Sequence, residues 1–308
     1  MKNVLRISDE VAHALATGQA VVALESTVIA HGLPRPRNLE TAQAMEAAVR
    51  REGAIPATIA VITGKPVVGL SEEELELLAT SNDVVKVSRR DFAPVLSLKK
   101  TGATTVAGSL MIAAETGIGV FATGGIGGVH RGAEQTFDIS ADLSELAHSP
   151  LAVVCAGAKS ILDLPRTLEV LETLGVPLLG WRTSEFPAFY SRESGLCLEY
   201  RVENANDAAD VLCAQRKLGL SSAVVFCNPP PEETALSRTE VEALIEQALR
   251  SAASEKISGK ALTPYLLSEL ARTSAGRTLE ANVALLLNNA TAAAQIAVAF
   301  ATRPQLRR

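Results

Sequence analysis

The feature that most constrains the fold of this chain is a repeating beat of short, mostly apolar runs set between segments of helical periodicity. The runs are AVVAL at 20–24, ATIAVIT at 57–63, VVKVS at 84–88, GVFAT at 119–123, LAVVC at 151–155, VPLLG at 176–180 and SAVVF at 222–226. Apolar runs of this length suit strands covered on both faces, and the amphipathic segments between them supply the cover. Ser8 precedes one such segment, which stops at Gly18. Asn38 is placed to cap a second, which runs to Arg51 and is terminated at Gly53, and Ser71 with Glu74 forms a capping-box pattern ahead of ELELLAT. Helical patterning returns over 237–256 and 278–301. The expectation is an α/β fold, a three-layer α/β/α sandwich around a central mostly parallel or mixed sheet, with residues 1–308 forming a single catalytic domain.

Composition closes off several functions. With 47% hydrophobic and 20% charged residues in 308, the chain can bury a large core and is not disordered in character. A net charge of -5 and no basic stripe with interleaved aromatics argue against nucleic acid. Cys155, Cys197, Cys213 and Cys227 stand far apart without a C-x-x-C pair, which suits reduced thiols in the cytoplasm. Asp9 and Glu10 fall where an export signal needs an apolar run. The apolar stretch from Val283 to Phe300 is broken by Asn288, Asn289 and Gln295, so it reads as a buried core helix and not as a membrane span. The basic tail at 302–308 reads as a frayed end.

In open α/β sheets ligands bind beyond the carboxyl ends of strands, so polar residues that close apolar runs are the first candidates. Glu25 follows VVAL; a carboxyl shielded by apolar walls is held protonated and suits a proton donor, while a strand-end carboxylate satisfied by backbone donors is the plain alternative. Lys86 lies inside an apolar strand, where an ammonium is costly unless paired or used to grip a phosphate or carboxylate; Arg89 and Arg90 read as surface charges. TGGIGGVHRG at 123–132 matches neither a P-loop nor a dinucleotide fingerprint, which leaves an anion-binding concavity of backbone amides or a flexible turn. His130, Glu134, Asp138 and Asp142 fall within thirteen residues and carry ligands that suit Mn²⁺ or Mg²⁺, or else form a solvated acidic turn. Lys159 follows the small residues Ala156, Gly157 and Ala158, a setting that can hold an amine against a substrate carbonyl, where a desolvated amine is nucleophilic.

Taken together, LESTVIAHGLPRP (24–36), VVKVSRRD (84–91), ATGGIGGVHRGAEQTFDISADL (122–143), VVCAGAKSILD (153–163) and LEANVALLLNNA (279–290) closely resemble the pseudouridine-5′-phosphate glycosidase family, also named after indigoidine synthase A. The resemblance implies reversible cleavage of the C–C glycosidic bond of pseudouridine 5′-phosphate to uracil and ribose 5-phosphate, in a cytoplasmic homotrimer using one divalent metal per subunit, typically Mn²⁺. Carried over by position, it makes Lys159 the Schiff-base nucleophile and Glu25 the proton donor. It matches Lys86, Val106 and the run Ser140, Ala141, Asp142 to substrate binding and Asp138 to the metal, with His130 and Asn282 as further polar residues of the site. Two other readings stay open at this point. A sugar-phosphate or nucleoside kinase would use the glycines and acids for nucleotide phosphates and Mg²⁺, and a phosphosugar-binding protein without catalysis would form no lysine adduct.

Overall fold

The computed structural model describes residues 4–255, 257, 259 and 262–303; the tail at 304–308 lies outside them. The strands are β1 (Arg6–Ile7), β2 (Val21–Glu25), β3 (Ile55–Ile62), β4 (Lys65–Val68), β5 (Val85–Val87), β6 (Gly102–Thr104), β7 (Val120–Ala122), β8 (Ala152–Cys155), β9 (Leu178–Trp181), β10 (Tyr200–Val202) and β11 (Val224–Cys227). They join one sheet, along which the order is β1-β4-β3-β2-β7-β8-β11-β9-β10. From β3 to β10 along this path every pairing is parallel, while β4 and β6 run antiparallel to β3. Every residue of β2, β7, β8 and β11 is buried, as expected for a parallel sheet covered on both faces.

At β2 the sheet changes partner. β2 ends at Glu25, paired with Ile59 of β3, and the next residues of β3, Ala60 and Val61, pair with Ala103 and Gly102 of β6. Because β4 occupies the other edge of β3 there, β6 takes up the edge that β2 vacates, and β5 adds itself outside with Lys86 opposite Ala103. Ser26 pins the junction: its hydroxyl donates to the Ile59 carbonyl at 2.6 Å and accepts the Thr104 N–H at 2.8 Å. The sheet therefore continues past Glu25 in a second pair of strands, and that brings Lys86 toward the end of β2.

Helices complete the three layers. The helix Arg277–Ala301 is long and apolar enough to cross a membrane by length and composition alone. It instead packs on β2, β7 and β8 between the helices Arg37–Arg51 and Ala205–Leu218, and buries Leu285, Leu286, Ala293 and Ile296. The helix Val106–Thr116 packs against β2, β3 and β6 and against the short helix Ala141–Leu146. The cap assignments at Ser8 and Ser71 hold, with each side chain accepting a first-turn N–H. Asn38 is not a cap. The helix begins at Arg37 after Pro36, and Asn38 is buried inside it, donating its amide to the carbonyls of Ile29 at 2.8 Å and Ala79 at 3.0 Å. Those carbonyls lie at other chain segments, so the side chain serves tertiary contacts instead of its own helix end.

Candidate active site

Three neighbouring strands end level with one another, since Leu24 of β2 pairs with Ala122 of β7, which pairs with Val154 of β8. The next residues are Glu25, Thr123 and Cys155. Glu25 is 8% exposed, and Thr123 donates its hydroxyl to Glu25 Oε1 at 2.6 Å. Burial raises the Glu25 carboxyl above its ordinary range; the positive charges of Lys159 and Lys86 and the Thr123 hydrogen bond pull it back, and the Asp142 carboxylate pushes it further up. The balance is upward, and a carboxyl held above its ordinary range suits a proton donor. Cys155 closes β8 beside it, but burial pushes its thiol up to about 12, so no thiolate nucleophile stands here.

Beyond β8 the chain turns through Gly157, whose Cβ position would lie 2.1 Å from the Pro187 carbonyl oxygen at a φ of +76°, a place only glycine fits. Lys159 follows. Its N–H donates to Ile126 at 3.1 Å and its Nζ to the Gly125 carbonyl at 3.0 Å, so the Gly-rich loop sets the height of the amine. The loop is neither a flexible turn nor an open anion cradle at Gly127. Its residues 123–129 are buried, Ile126 bridges to Ala158, and the Gly127 amide donates to Asp142 Oδ2 at 2.8 Å. A Cβ on Gly127 would fall 2.2 Å from Ser140 Oγ. The glycine permits close approach to its own chain.

Asp142 is the fastener of this half of the site. Its second oxygen, Oδ1, accepts the Ala107 N–H at 2.9 Å, in the first turn of the helix Val106–Thr116. One buried carboxylate thus locks the Gly-rich loop to a helix N-terminus, where negative charge is stabilised. Val106 opens that helix, and Ser140 caps the helix Ala141–Leu146 by accepting the Asp142 N–H at 3.2 Å. Ala141 is exposed.

His130 and Asp138 lie on the following turn. Their backbones are joined, His130 N–H to Asp138 carbonyl, at 3.0 Å, and His130 Nδ1 stands 3.9 Å from Asp138 Oδ2. Burial lowers the His130 imidazole below its ordinary range against the raising effect of Asp138, and Lys159 and Lys86 lower it further. Phe137, in the left-handed region at φ +53° and 81% exposed, turns the chain that presents Asp138. The thirteen-residue acidic constellation does not gather as one group. Glu134 pairs with Arg166, Asp142 is taken by backbone amides, and among the described residues no three His, Cys, Asp or Glu side chains stand together as a metal site. Asp138, 41% exposed at its side chain, keeps an open carboxylate.

Glu25 thereby feels the charges of Lys159, Lys86 and Asp142, and His130 those of Asp138, Lys159 and Lys86, so the two lysines are common to both groups. Arg89 is more than a surface charge, because its guanidinium holds the buried Glu145 carboxylate at 2.5 and 2.7 Å. Three participants were not singled out from sequence. Thr123 orients Glu25. Asn289, fully buried, donates to the Thr123 carbonyl at 2.8 Å and accepts from Asn228 at 3.0 Å. Asn282 lies two turns before Asn289 on the same helix face, also buried. The third is His31, whose Nε2 donates to the Val84 carbonyl at 3.0 Å while Nδ1 is buried without a partner among the described residues. A polar residue inside an apolar helix was the available signal for Asn289, and it was spent on excluding a membrane span.

Comparison with known proteins places the chain in a family. The family model described as indigoidine synthase A like protein matches residues 10–299. A pseudouridine-5′-phosphate glycosidase of Caldanaerobacter subterraneus subsp. tengcongensis is 55% identical over 97% of both chains. One of Herpetosiphon aurantiacus is 56% identical over 96% of this chain and 98% of its own. Among solved structures, a prealnumycin C-glycosynthase in complex with ribulose 5-phosphate superposes with a TM-score of 0.89 at 42% identity, covering 97% of each chain. An indigoidine synthase A-like protein from Thermotoga maritima superposes with a TM-score of 0.88 at 38% identity, again over 97% of each.

Proposed function

The chain belongs to the family of indigoidine synthase A like proteins, and from that premise we propose that it is a pseudouridine-5′-phosphate glycosidase, which cleaves the C–C bond between uracil and ribose 5-phosphate through a lysine Schiff base. The observation that carries this reading is the buried Glu25 carboxyl, raised in pKa by its burial and set across the end of β7 from the loop that holds Lys159. An ordinary glycosidase protonates a leaving oxygen between two carboxylates. Here the leaving atom is a ring carbon of uracil, a poor carbanion, and a carboxyl paired with an amine answers that difficulty.

In the proposed sequence Glu25 gives its proton to the ribose ring oxygen as Lys159 Nζ attacks C1, so the C1–O bond breaks and a C1–N bond forms. The C1 ammonium so formed gives a proton to the Glu25 carboxylate; the freed nitrogen lone pair then expels uracil, whose ring carbon takes that proton from Glu25, and an iminium is left at C1. Water adds to the iminium and releases ribose 5-phosphate and the free amine. Thr123 holds Glu25 in place by its 2.6 Å hydrogen bond, and the Gly125 carbonyl holds the amine until substrate displaces it. Lys86 grips the phosphate, Val106 and the Ser140–Asp142 turn line the substrate, and His130 and Asn282 are left to the uracil and ribose.

A divalent metal, one per subunit and typically Mn²⁺, would be held by the Asp138 carboxylate, which is partly exposed beside His130. An oxygen ligand of this kind suits a hard divalent cation. When bound it supplies positive charge against the phosphate. The same reading carries a cytoplasmic homotrimer of one catalytic domain per chain. The test is to incubate the protein with Mn²⁺ and pseudouridine 5′-phosphate, follow uracil release and trap with borohydride. A ribose phosphate adduct on Lys159, absent in Lys159→Ala, supports the mechanism. Uracil release without an adduct would remove the Schiff base, and no release would remove the function.

A further inference from the structure

Phe189 stands in the left-handed region at φ +62°, and it is buried, with 3% of its surface exposed. A bulky side chain disfavours that conformation, which persists only where the surroundings over-determine it and is found most often at functional sites. The surroundings here are the turn that leads to Lys159 and the Gly-rich loop. Ala188 and Ser191 exchange backbone hydrogen bonds at 2.9 and 3.3 Å across the turn that contains Phe189 and Tyr190, and Ala188 bridges to Gly157. The Phe189 N–H donates to the Ala156 carbonyl at 3.0 Å. Its backbone is thus tied to the chain between β8 and Lys159.

The ring meets the other wall. A Cβ on Gly125 would fall 2.5 Å from Phe189 Cδ2, and one on Gly124 would fall 3.4 Å from Cε2, so the ring covers the backbone of both glycines. Gly125 carries the carbonyl that accepts the Lys159 Nζ at 3.0 Å. A lysine side chain is a flexible stem, and its amine is placed by the group that holds it. Phe189 therefore touches both supports of Lys159: its amide holds the turn in which the lysine is rooted, and its ring backs the carbonyl on which the amine rests. Glycine would adopt this φ without strain; what phenylalanine adds is the ring on Gly125.

We propose that Phe189 is a positioning residue for the Schiff-base nucleophile, setting the Lys159 amine through the Gly125 carbonyl. The inference rests on the assignment of Lys159 as nucleophile. The amine has to reach C1 of the sugar while Glu25 reaches the ring oxygen, and a reacting atom displaced by about 1 Å costs on the order of 10²-fold in rate. The phosphate is gripped by Lys86, on a different strand, so the loss is in turnover and not in substrate affinity.

The test compares Phe189→Leu and Phe189→Met with Phe300→Leu, which removes a buried aromatic at the opposite end of β7, where the Phe300 ring lies 3.0 Å from the Cβ position of Gly119. Each variant is unfolded in urea to establish that it folds, then assayed for kcat and KM on pseudouridine 5′-phosphate and for the rate at which borohydride traps an adduct on Lys159. Phe189→Leu and Phe189→Met should lose about tenfold or more in kcat and in trapping rate at saturating substrate, with KM within about twofold of wild type, while Phe300→Leu keeps kcat within about twofold. Methionine adapts to irregular core space, so its variant carries the test if the leucine variant does not fold. Wild-type kcat in a folded Phe189 variant overturns the inference, as does an equal fall in Phe300→Leu or a rise in KM with turnover unchanged. Where the wild type forms the Lys159 adduct, these outcomes overturn this inference alone; no adduct in the wild type overturns the nucleophile assignment and this inference with it.

Discussion

Asn289→Leu tests whether the site is held up from beneath. The native amide satisfies the Thr123 carbonyl and the Asn228 side chain, and reaches the Gly124 carbonyl at 3.3 Å. Leucine has similar volume but leaves one buried acceptor and one buried donor unpaired. Each such group costs about 1–3 kcal/mol, while the apolar side chain returns about 2 kcal/mol of burial. The net loss is centred on about 2 kcal/mol, measured as a lower urea midpoint at unchanged slope. Activity should fall by about tenfold or more, because the Thr123 backbone so released carries the hydroxyl that orients Glu25, and small misplacements of a reacting group are costly. The double variant Asn228→Leu, Asn289→Leu removes both members of one pair, and should cost clearly less than the two single losses added. A single variant within about 0.5 kcal/mol of wild type, or a strictly additive double, would refute the reasoning.

Glu25→Gln should abolish uracil release, by a factor of about 10² or more, yet stabilise the fold. An acid whose folded pKa is raised burdens the folded state once ionised; the burden is absent below the ordinary carboxyl value of 4.5 and complete above the folded pKa. Urea unfolding across pH should therefore show the variant gaining on wild type as pH rises through that window and then holding level. Gly127→Ala puts a methyl 2.2 Å from Ser140 Oγ and 2.7 Å from Asp142 Oδ2, for a loss of about 1–3 kcal/mol in thermal or urea melts; adding Ser140→Ala should recover part of it. Asp138→Ala should leave stability unchanged within about 0.5 kcal/mol, since the side chain is partly exposed, but raise the Mn²⁺ concentration for half-maximal activity by about tenfold or more.

The central strands were legible because each is covered on both faces and therefore written as an unbroken apolar run; β2, β3, β7, β8, β9 and β11 overlap the runs picked out from sequence. β6 was not, since Gly102–Thr104 is three small residues whose strand character comes only from pairing with β3 and β5. β1 and β4 were missed for a like reason, being short strands at the sheet's end. The ends of β2 and β8 disclosed Glu25 and Lys159 because a polar residue after an apolar run is a local pattern. Asn289 and Thr123 are 166 positions apart, and nothing local joins them. The motif at 123–132 announced itself, but its glycines permit contacts with Ser140 and Thr167 that only the folded chain reveals.

The change of partner along β3 gives the enzyme a tuning point remote from its chemistry. Lys86 owes its position to the alignment of β5 on β6 and of β6 on β3, and side chains alternate faces along a strand. A single-residue deletion between Asp91 and Lys100 that slid β6 by one position would rotate Lys86 out of the site without touching any residue that meets substrate. Selection on substrate affinity can therefore act through the length of that connection, and natural variants in which affinity drifts while turnover chemistry is preserved should concentrate their insertions and deletions there.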